Sequence, residues 1–489
     1  MWWWLGCRAA EPCGSGGSVE AFDPAPTVSI ARGLRVTLLR PASVAVSLDG
    51  TPSGPASPPA VVHELPLLGL RSGERHRIEV RCGAEPVPFA SLELEGRPMS
   101  AAWPTIEPWV DAPERRSPGR TLVDLSSDDV HWLALLDPDG APVWAYRSAQ
   151  EVLDATLDPA GTVWILSDGR VDRIDWLGRP VASWAARAFA RDGDLALDVN
   201  TLHHAVTPLP DGGFVGLDLA PFEVDAYPLS VDDPEGPTAP ATLSDGVVVR
   251  VAADGSVVER FSIAERLDPA RIGWLSLQQD ALGYDWGHVN AVSVDPRDGG
   301  YVVGVRHQDA VIKLDPAGEL QWIVSPPDGW RSPWAELRLD AVGGASWPYH
   351  AHAPRISADG RLTMFDNGNH GRTTPYAGEP GEDWSRIVEY QVDEGEGTVA
   401  EVASAEPSTG PEFSPAFGDA DLLPNGDHLG VWGYLFSESG VRNVDRGRGV
   451  NSVRLVEVAP DGEVVWELSL WSTADRPAGW RAHRAQRIP

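Results

Sequence analysis

The chain has little cysteine, a single lysine and no long apolar run, and each shortage removes a class of chemistry. Its three cysteines, Cys7, Cys13 and Cys82, show no Cys-x-x-Cys spacing of a thiolate metal site, and a disulfide between Cys13 and Cys82 is left open. Lys313 is the only lysine, in the alternating stretch Ala310-Val311-Ile312-Lys313-Leu314. A P-loop is thereby excluded and Schiff-base chemistry is improbable, so histidine and arginine remain as the cationic reagents. Positive charge is scarce: 39 Lys and Arg stand against 71 Asp and Glu, for a net charge of −32. Such a surface repels nucleic acid and anionic membranes, so no nucleic-acid partner is expected and a small anion would need a local basic site. No later segment approaches the roughly 20 apolar residues of a membrane span. Gly-x-Ser-x-Gly, His-Glu-x-x-His and a helix-opening Gly-x-Gly-x-x-Gly are all missing.

Turn chemistry is abundant instead. With 50 Gly and 44 Pro in 489 residues and 42% hydrophobic content, the pattern is one of many short strands joined by Asp-Gly and Asn-Gly turns, an all-β chain. Residues 1–24 read as a signal-like and tether segment. Met1-Trp2-Trp3-Trp4-Leu5-Gly6-Cys7 resembles the end of a bacterial lipoprotein signal, in which a cysteine after a small residue is lipidated; it lacks a charged start, and its apolar run is shorter than the roughly 7 to 15 residues of a signal core. Export, with the protein periplasmic or membrane-anchored through Cys7, is the expectation; a truncated start is the alternative. Residues 25–100 carry several strand patterns in close succession, as in a fibronectin-like β-sandwich.

From residue 101 to 489 a second unit recurs: an apolar strand, an Asp-Gly type turn and a closing aromatic. It runs from Leu136 to Trp144, Ile174 to Trp184, Val251 to Phe261, Leu314 to Trp322 and Val458 to Trp466, with a degenerate copy through Val392 to Gly397. Six such outer hairpins, most preceded by an inner hairpin, predict a six-bladed β-propeller with insertions at 218–245, 325–348 and 369–383. The first unit's inner hairpin is the least legible.

Three inner hairpins start on histidine: His204 before Asp211-Gly212, His288 before Asp298-Gly299, and His352 before Asp359-Gly360. Antiparallel pairing returns positions equidistant from a turn to the same end. His288 then faces Arg306, His352 faces Phe365-Asp366-Asn367-Gly368, and His204 faces Asp218. If the units are equivalent, three imidazoles and a guanidinium gather at one rim, with Asn290 on the face of His288, as a donor array suited to an oxyanion. Two other readings stay open on residue types alone. His203, His204, His288, His350 and His352 are a possible ligand set for a metal-dependent hydrolase, though Arg306 is poorly placed beside a metal. A non-catalytic propeller binding sulfated ligands or a partner protein is the other, because a fold does not fix function.

The stretch from Asp285 to Trp322 resembles the bacterial arylsulfate sulfotransferase family. So do Tyr349-His350-Ala351-His352 through Asn369-His370, the run from Trp384 to Asp393, and Leu202-His203-His204-Ala205-Val206. The resemblance spans about residues 195 to 470 and implies sulfuryl transfer, without PAPS, from a phenolic sulfate ester to an acceptor phenol through a sulfohistidine. No cofactor or metal is implied. By position His352 matches the nucleophile, with His350 as its rival; His288 matches the acid/base, and Arg306 with His203 or His204 the sulfate-binding groups. Asn290 matches a further polar contact, and Asp366 and Asn367 are candidates to orient His352. The family commonly places an acidic residue after its paired histidines, where this chain has Ala205, and Pro354 departs from the commoner polar context of its nucleophile. Imidazole and guanidinium suit the chemistry: sulfuryl transfer, like phosphoryl transfer, depends on positioning and on neutralising charge over equatorial oxygens.

Overall fold

The computed structural model describes residues 17–83, 87–231, 233, 236–369, 383–438, 441–443, 450–472 and 479–488. Among these residues there is no α-helix; two 3-10 turns, Arg306–Gln308 and Trp334–Leu337, interrupt an otherwise all-β chain. Two small sheets come first. One orders Ser18–Phe22, Arg32–Ala42 and Ala60–Leu67, the other Thr51–Pro52, Val44–Leu48, Arg75–Cys82 and Ala90–Glu95. They share a core of Ile30, Leu34, Val36, Leu67, Ile78 and Val80. The expected tether therefore ends sooner than residue 24, because Ser18–Phe22 pairs along Arg32–Ala42. Cys82 is disulfide-bonded; Cys7 and Cys13, and with them the anchor expectation, lie outside the described residues.

Six further sheets of four to six strands follow. The aromatic that closes each outer hairpin explains the recurring unit, since it is buried against the turn of the next sheet. Trp144 donates from Nε1 to the Trp176 carbonyl at 2.8 Å, Trp184 to Ala253 at 3.3 Å, Trp322 to the Glu394 carboxylate at 3.0 Å, and Trp466 to Pro138 at 2.7 Å. Phe261 takes the same role apolarly: a Cβ on Gly318, in the following turn, would lie 2.2 Å from its ring. The bond from Trp466 to Pro138 joins the last of these sheets to the first. Two strand exchanges join them again. Ala485–Ile488 pairs with Arg120–Ser126, and Thr105–Asp111 pairs with Val464–Trp471. The C-terminus thus supplies the inner strand that the first unit lacks, which no local pattern reveals.

Two details differ from expectation. Residues 218–245 are no insertion between units but an extension of one hairpin, Phe214–Pro228 paired with Thr238–Val251. Lys313 is buried, and its ammonium bonds Asp295 and, at 2.7 Å, Asp298. The lone lysine is structural.

Candidate active site

One cavity of 480 Å³ is lined by the inner strand of all six sheets: Asp154 to Thr156, Ala205 to Pro208, Ala291 to Val294, Ala353 to Ile356, Asp419 to Leu422, and Ala485 to Arg487. The histidines stand where these strands begin. Pairing brings His352 opposite Phe365, as counted, and the Arg306 amide donates to the His288 carbonyl at 3.3 Å. In the third sheet a bulge shifts the count, so His203 rather than His204 takes the paired place, opposite Leu217. Similar bulges lie between Val289 and Ala291 and between His352 and Arg355. His204, His288, Asp309, His350, Ala353 and Phe417 all hold positive φ, from 44° to 60°. That conformation is costly for residues other than glycine, about 1–3 kcal/mol each, and here it falls on the rim that carries the imidazoles.

Ring centroids follow one another from His203 to His204 (4.9 Å), His288 (5.1 Å), His307 (4.6 Å) and His350 (5.7 Å), with Trp274 beyond at 5.1 Å. The Nδ1 atoms of His203 and His204 lie 2.6 Å apart, so the pair is oriented by a hydrogen bond between its members. His352 stands in the field of Arg306, Arg484 and His288. Burial, followed by these cations, holds His352 well below the ordinary imidazole range; burial does the same for His204 and His307 and takes His203 and His350 to about 4. All five are therefore neutral at pH 7.

Hydrogen bonds fix which nitrogen carries the proton. Asn367 donates from Nδ2 to the carbonyls of Ser414 at 2.7 Å and Phe417 at 2.9 Å, so its Oδ1, 2.6 Å from His352 Nδ1, is an acceptor. His352 must carry its hydrogen on Nδ1, and its lone pair sits on Nε2. Nδ1 of His288 contacts the Asp285 carboxylate at 2.6 Å, and Nδ1 of His350 contacts Asp309 at 2.8 Å. Arg306 donates to His307 Nε2 at 3.0 Å and to the Pro415 carbonyl at 3.1 Å. Buried Nε2 atoms of His203 and His350 have no partner among the described residues.

Two expected contacts belong elsewhere. The Asn290 amide donates to the Ala351 carbonyl at 2.9 Å and its Oδ1 would lie 2.7 Å from a Cβ on Gly304, so it ties two sheets together. Asp366 is fully buried and accepts from the Tyr349 and Gly368 amides and from Arg386, which makes it a brace for the loop. Conversely, Asp285, His307, Asp309, Phe417, His483 and Arg484 join the site unforeseen. His307 follows Arg306 directly, but strand alternation sends neighbours to opposite faces; the 3-10 turn Arg306–Gln308 brings both to one side. Arg484 reaches the Gly418 carbonyl at 2.8 Å from the C-terminal strand. Asp285, His288 and His307 are close enough to share a metal ion. Both ring nitrogens of His307 are engaged, though: Nδ1 donates to the Asp285 carbonyl at 2.7 Å and Nε2 accepts from Arg306. His307 therefore keeps no free nitrogen for an ion in that trio.

Residues 113–481 match the model of the arylsulfotransferase (ASST) family. Segments of the chain are 35% identical over 144 residues to arylsulfate sulfotransferase AssT of Escherichia coli O6:H1, covering 25% of this chain and 24% of that protein. They are 30% identical over 199 residues to AssT of Lelliottia amnigena, covering 31% and 33%. The alignable segments thus span a third or less of those relatives. Among solved structures, a Bacteroides caccae protein of unknown function is similar over 76% of this chain and 98% of its own, at 14% identity and a TM-score of 0.42. Virginiamycin B lyase from Staphylococcus aureus is similar over 75% and 100%, at 10% identity and a TM-score of 0.31. With the family model matched over most of its length, the chain belongs to the arylsulfotransferase family.

Proposed function

We propose that the protein moves a sulfuryl group from a phenolic sulfate ester to an acceptor phenol, without PAPS, through a sulfohistidine on His352. On this reading residues 101–489 form a six-bladed β-propeller whose funnel holds the site, and residues 25–100 form a β-sandwich beside it. The carrying observation is the protonation of His352: a neutral ring, its hydrogen on Nδ1 held by Asn367, presenting an Nε2 lone pair within the field of Arg306. In the first half-reaction Nε2 attacks sulfur, an N–S bond forms and the aryl S–O bond breaks. His288 gives its Nε2 proton to the departing phenolate oxygen. In the second, neutral His288 takes the proton of the acceptor phenol, whose oxygen attacks sulfur and breaks the N–S bond. Arg306 neutralises the equatorial oxygens with a planar, permanently charged group, assisted by His203 and His204.

His352 is preferred over His350 because His350 is fully buried beneath Trp274 and tied to Asp309. Independence from PAPS is supported by the lone lysine, which is buried between carboxylates and offers nothing to a nucleotide phosphate. The disulfide at Cys82 supports an oxidising compartment, hence export.

Incubation with 4-nitrophenyl sulfate, with and without phenol, tests the proposal. Transfer predicts nitrophenol release that depends on phenol, with phenyl sulfate formed in equal amount. Release of sulfate irrespective of phenol, or binding with no release, would refute it.

A further inference from the structure

The geometry points to Asp285 as a positioning residue that ties the proton donor to the sulfuryl-binding guanidinium, an inference that rests on the proposed transfer reaction. Two different groups of this one residue reach two reagents. Its carboxylate holds Nδ1 of His288 at 2.6 Å, and its main-chain carbonyl takes the Nδ1 hydrogen of His307 at 2.7 Å. With Nδ1 protonated, neutral His307 exposes a lone pair on Nε2, and Arg306 Nη1 donates to it at 3.0 Å. The His307 ring lies under His288, centroids 4.6 Å apart and planes within 26°. The Arg306 amide closes the circuit on the His288 carbonyl, and the His307 amide on that of Gly287 at 2.9 Å.

Asp285 is itself held on both sides. Its amide donates to the Gln278 carbonyl at 2.7 Å, and the next residue, Trp286, is buried and donates from its indole to Arg271 at 2.7 Å. The Trp286 carbonyl accepts from Ser276 and Gln308. A carboxylate on Nδ1 leaves Nε2 of His288 as the nitrogen that exchanges a proton with the phenol oxygen, and it stabilises the imidazolium that must donate. His307 serves Arg306 as a neutral acceptor, fixing the direction of the guanidinium without a carboxylate of its own.

Leaving-group dependence separates this role from a merely structural one. Proton donation matters most when the departing phenol is basic, so Asp285→Asn should lower kcat/KM for phenyl sulfate by about 10²-fold, the low end of general-acid effects, and for 4-nitrophenyl sulfate by less than about 5-fold. His307→Leu should depress both donors equally, and His307→Gln, which retains an acceptor for Arg306, should recover most of that loss. An equal loss on both donors in Asp285→Asn, no loss at all, or indistinguishable His307 variants would overturn the inference. A wild-type protein that transfers from neither donor would instead refute the reaction itself.

Discussion

Asn367 offers the sharpest perturbation, because one side chain makes three bonds of two kinds. Both Asn367→Leu and Asn367→Asp delete the hydrogens donated to Ser414 and Phe417, stranding the Phe417 carbonyl at about 1–3 kcal/mol, while that of Ser414 keeps the Ser385 hydroxyl as a donor. The leucine variant should therefore lose about 1–3 kcal/mol in thermal or urea unfolding, and the aspartate variant more, since it buries a carboxylate against the same carbonyl oxygens. They differ also toward His352. Leucine frees the ring to flip or change tautomer, so acylation-like burst formation of phenol should fall by about 10²-fold, comparable to losing one aligned group of a catalytic array. Aspartate keeps an acceptor on Nδ1 but adds a charge where Oδ1 now lies 2.6 Å from that nitrogen. A unit charge about 4 Å from the imidazolium centre, at an effective dielectric of about 20, is worth roughly 4 kcal/mol. That is up to about three pKa units. In the native protein His352 is held well below 6.5, so its neutral form persists into acid and the acid limb of kcat/KM lies well below pH 6.5. In Asn367→Asp that limb should move up toward neutrality: activity survives at alkaline pH and is lost as pH falls through a higher midpoint. Burst kinetics with 4-nitrophenyl sulfate between pH 4 and 9 reads both effects. An unmoved acid limb in the aspartate variant, or a leucine variant within about 3-fold of wild type, would refute the assigned tautomer and the role of Asn367.

Other outcomes follow from the same geometry. Lys313→Met leaves buried Asp295 with only Arg297 and should cost about 3 kcal/mol in urea unfolding, toward the low end for breaking a buried pair, while kcat of the folded fraction stays unchanged. Asp366→Ala removes one of two carboxylates from Arg386, Glu401 remaining, and strands the Tyr349 and Gly368 amides, so it should destabilise by about 1–3 kcal/mol with KM for the donor unaltered at permissive temperature; a selective rise in KM would restore it to the substrate site. Trp466→Phe removes the bond to Pro138 that joins last sheet to first and should cost about 1–2 kcal/mol by calorimetry, whereas an unchanged melting temperature would show that the seam is held by the exchanged strands alone.

Much of the architecture is legible because its units repeat. The turn-to-aromatic spacing, four times tryptophan and once Phe261, marks five of the six outer hairpins, and the structure supplies the reason: each aromatic must reach the next turn. The joining of the last sheet to the first is not legible, since the Ala485–Ile488 strand and Thr105–Asp111 pair with partners hundreds of residues away and neither carries a local signature. In the site, counting from turns predicts that His352 meets Phe365 and that Arg306 returns to His288. It fails at His203 because a bulge inserts an extra residue, and bulges follow from backbone strain that residue type does not announce. His307 is hidden by the period-two rule, which a single 3-10 turn breaks. Arg484 and Phe417 stand just before the strands Ala485–Ile488 and Asp419–Leu422, outside the three histidine hairpins, so nothing in the motif search selects them. Asn290 and Asp366 are polar residues at the right distance in sequence whose partners prove to be backbone and arginine.

The central claim is a covalent bond between sulfur and Nε2 of His352. Rapid quenching into base of the protein mixed with ³⁵S-labelled 4-nitrophenyl sulfate, without acceptor, followed by peptide mapping, measures it directly. The peptide between Arg338 and Arg355 contains both His350 and His352, and fragmentation places the label. The account predicts one labelled position, His352, that disappears on adding phenol as labelled phenyl sulfate forms. Label on His350, or brisk transfer with no labelled protein at any time, would contradict it.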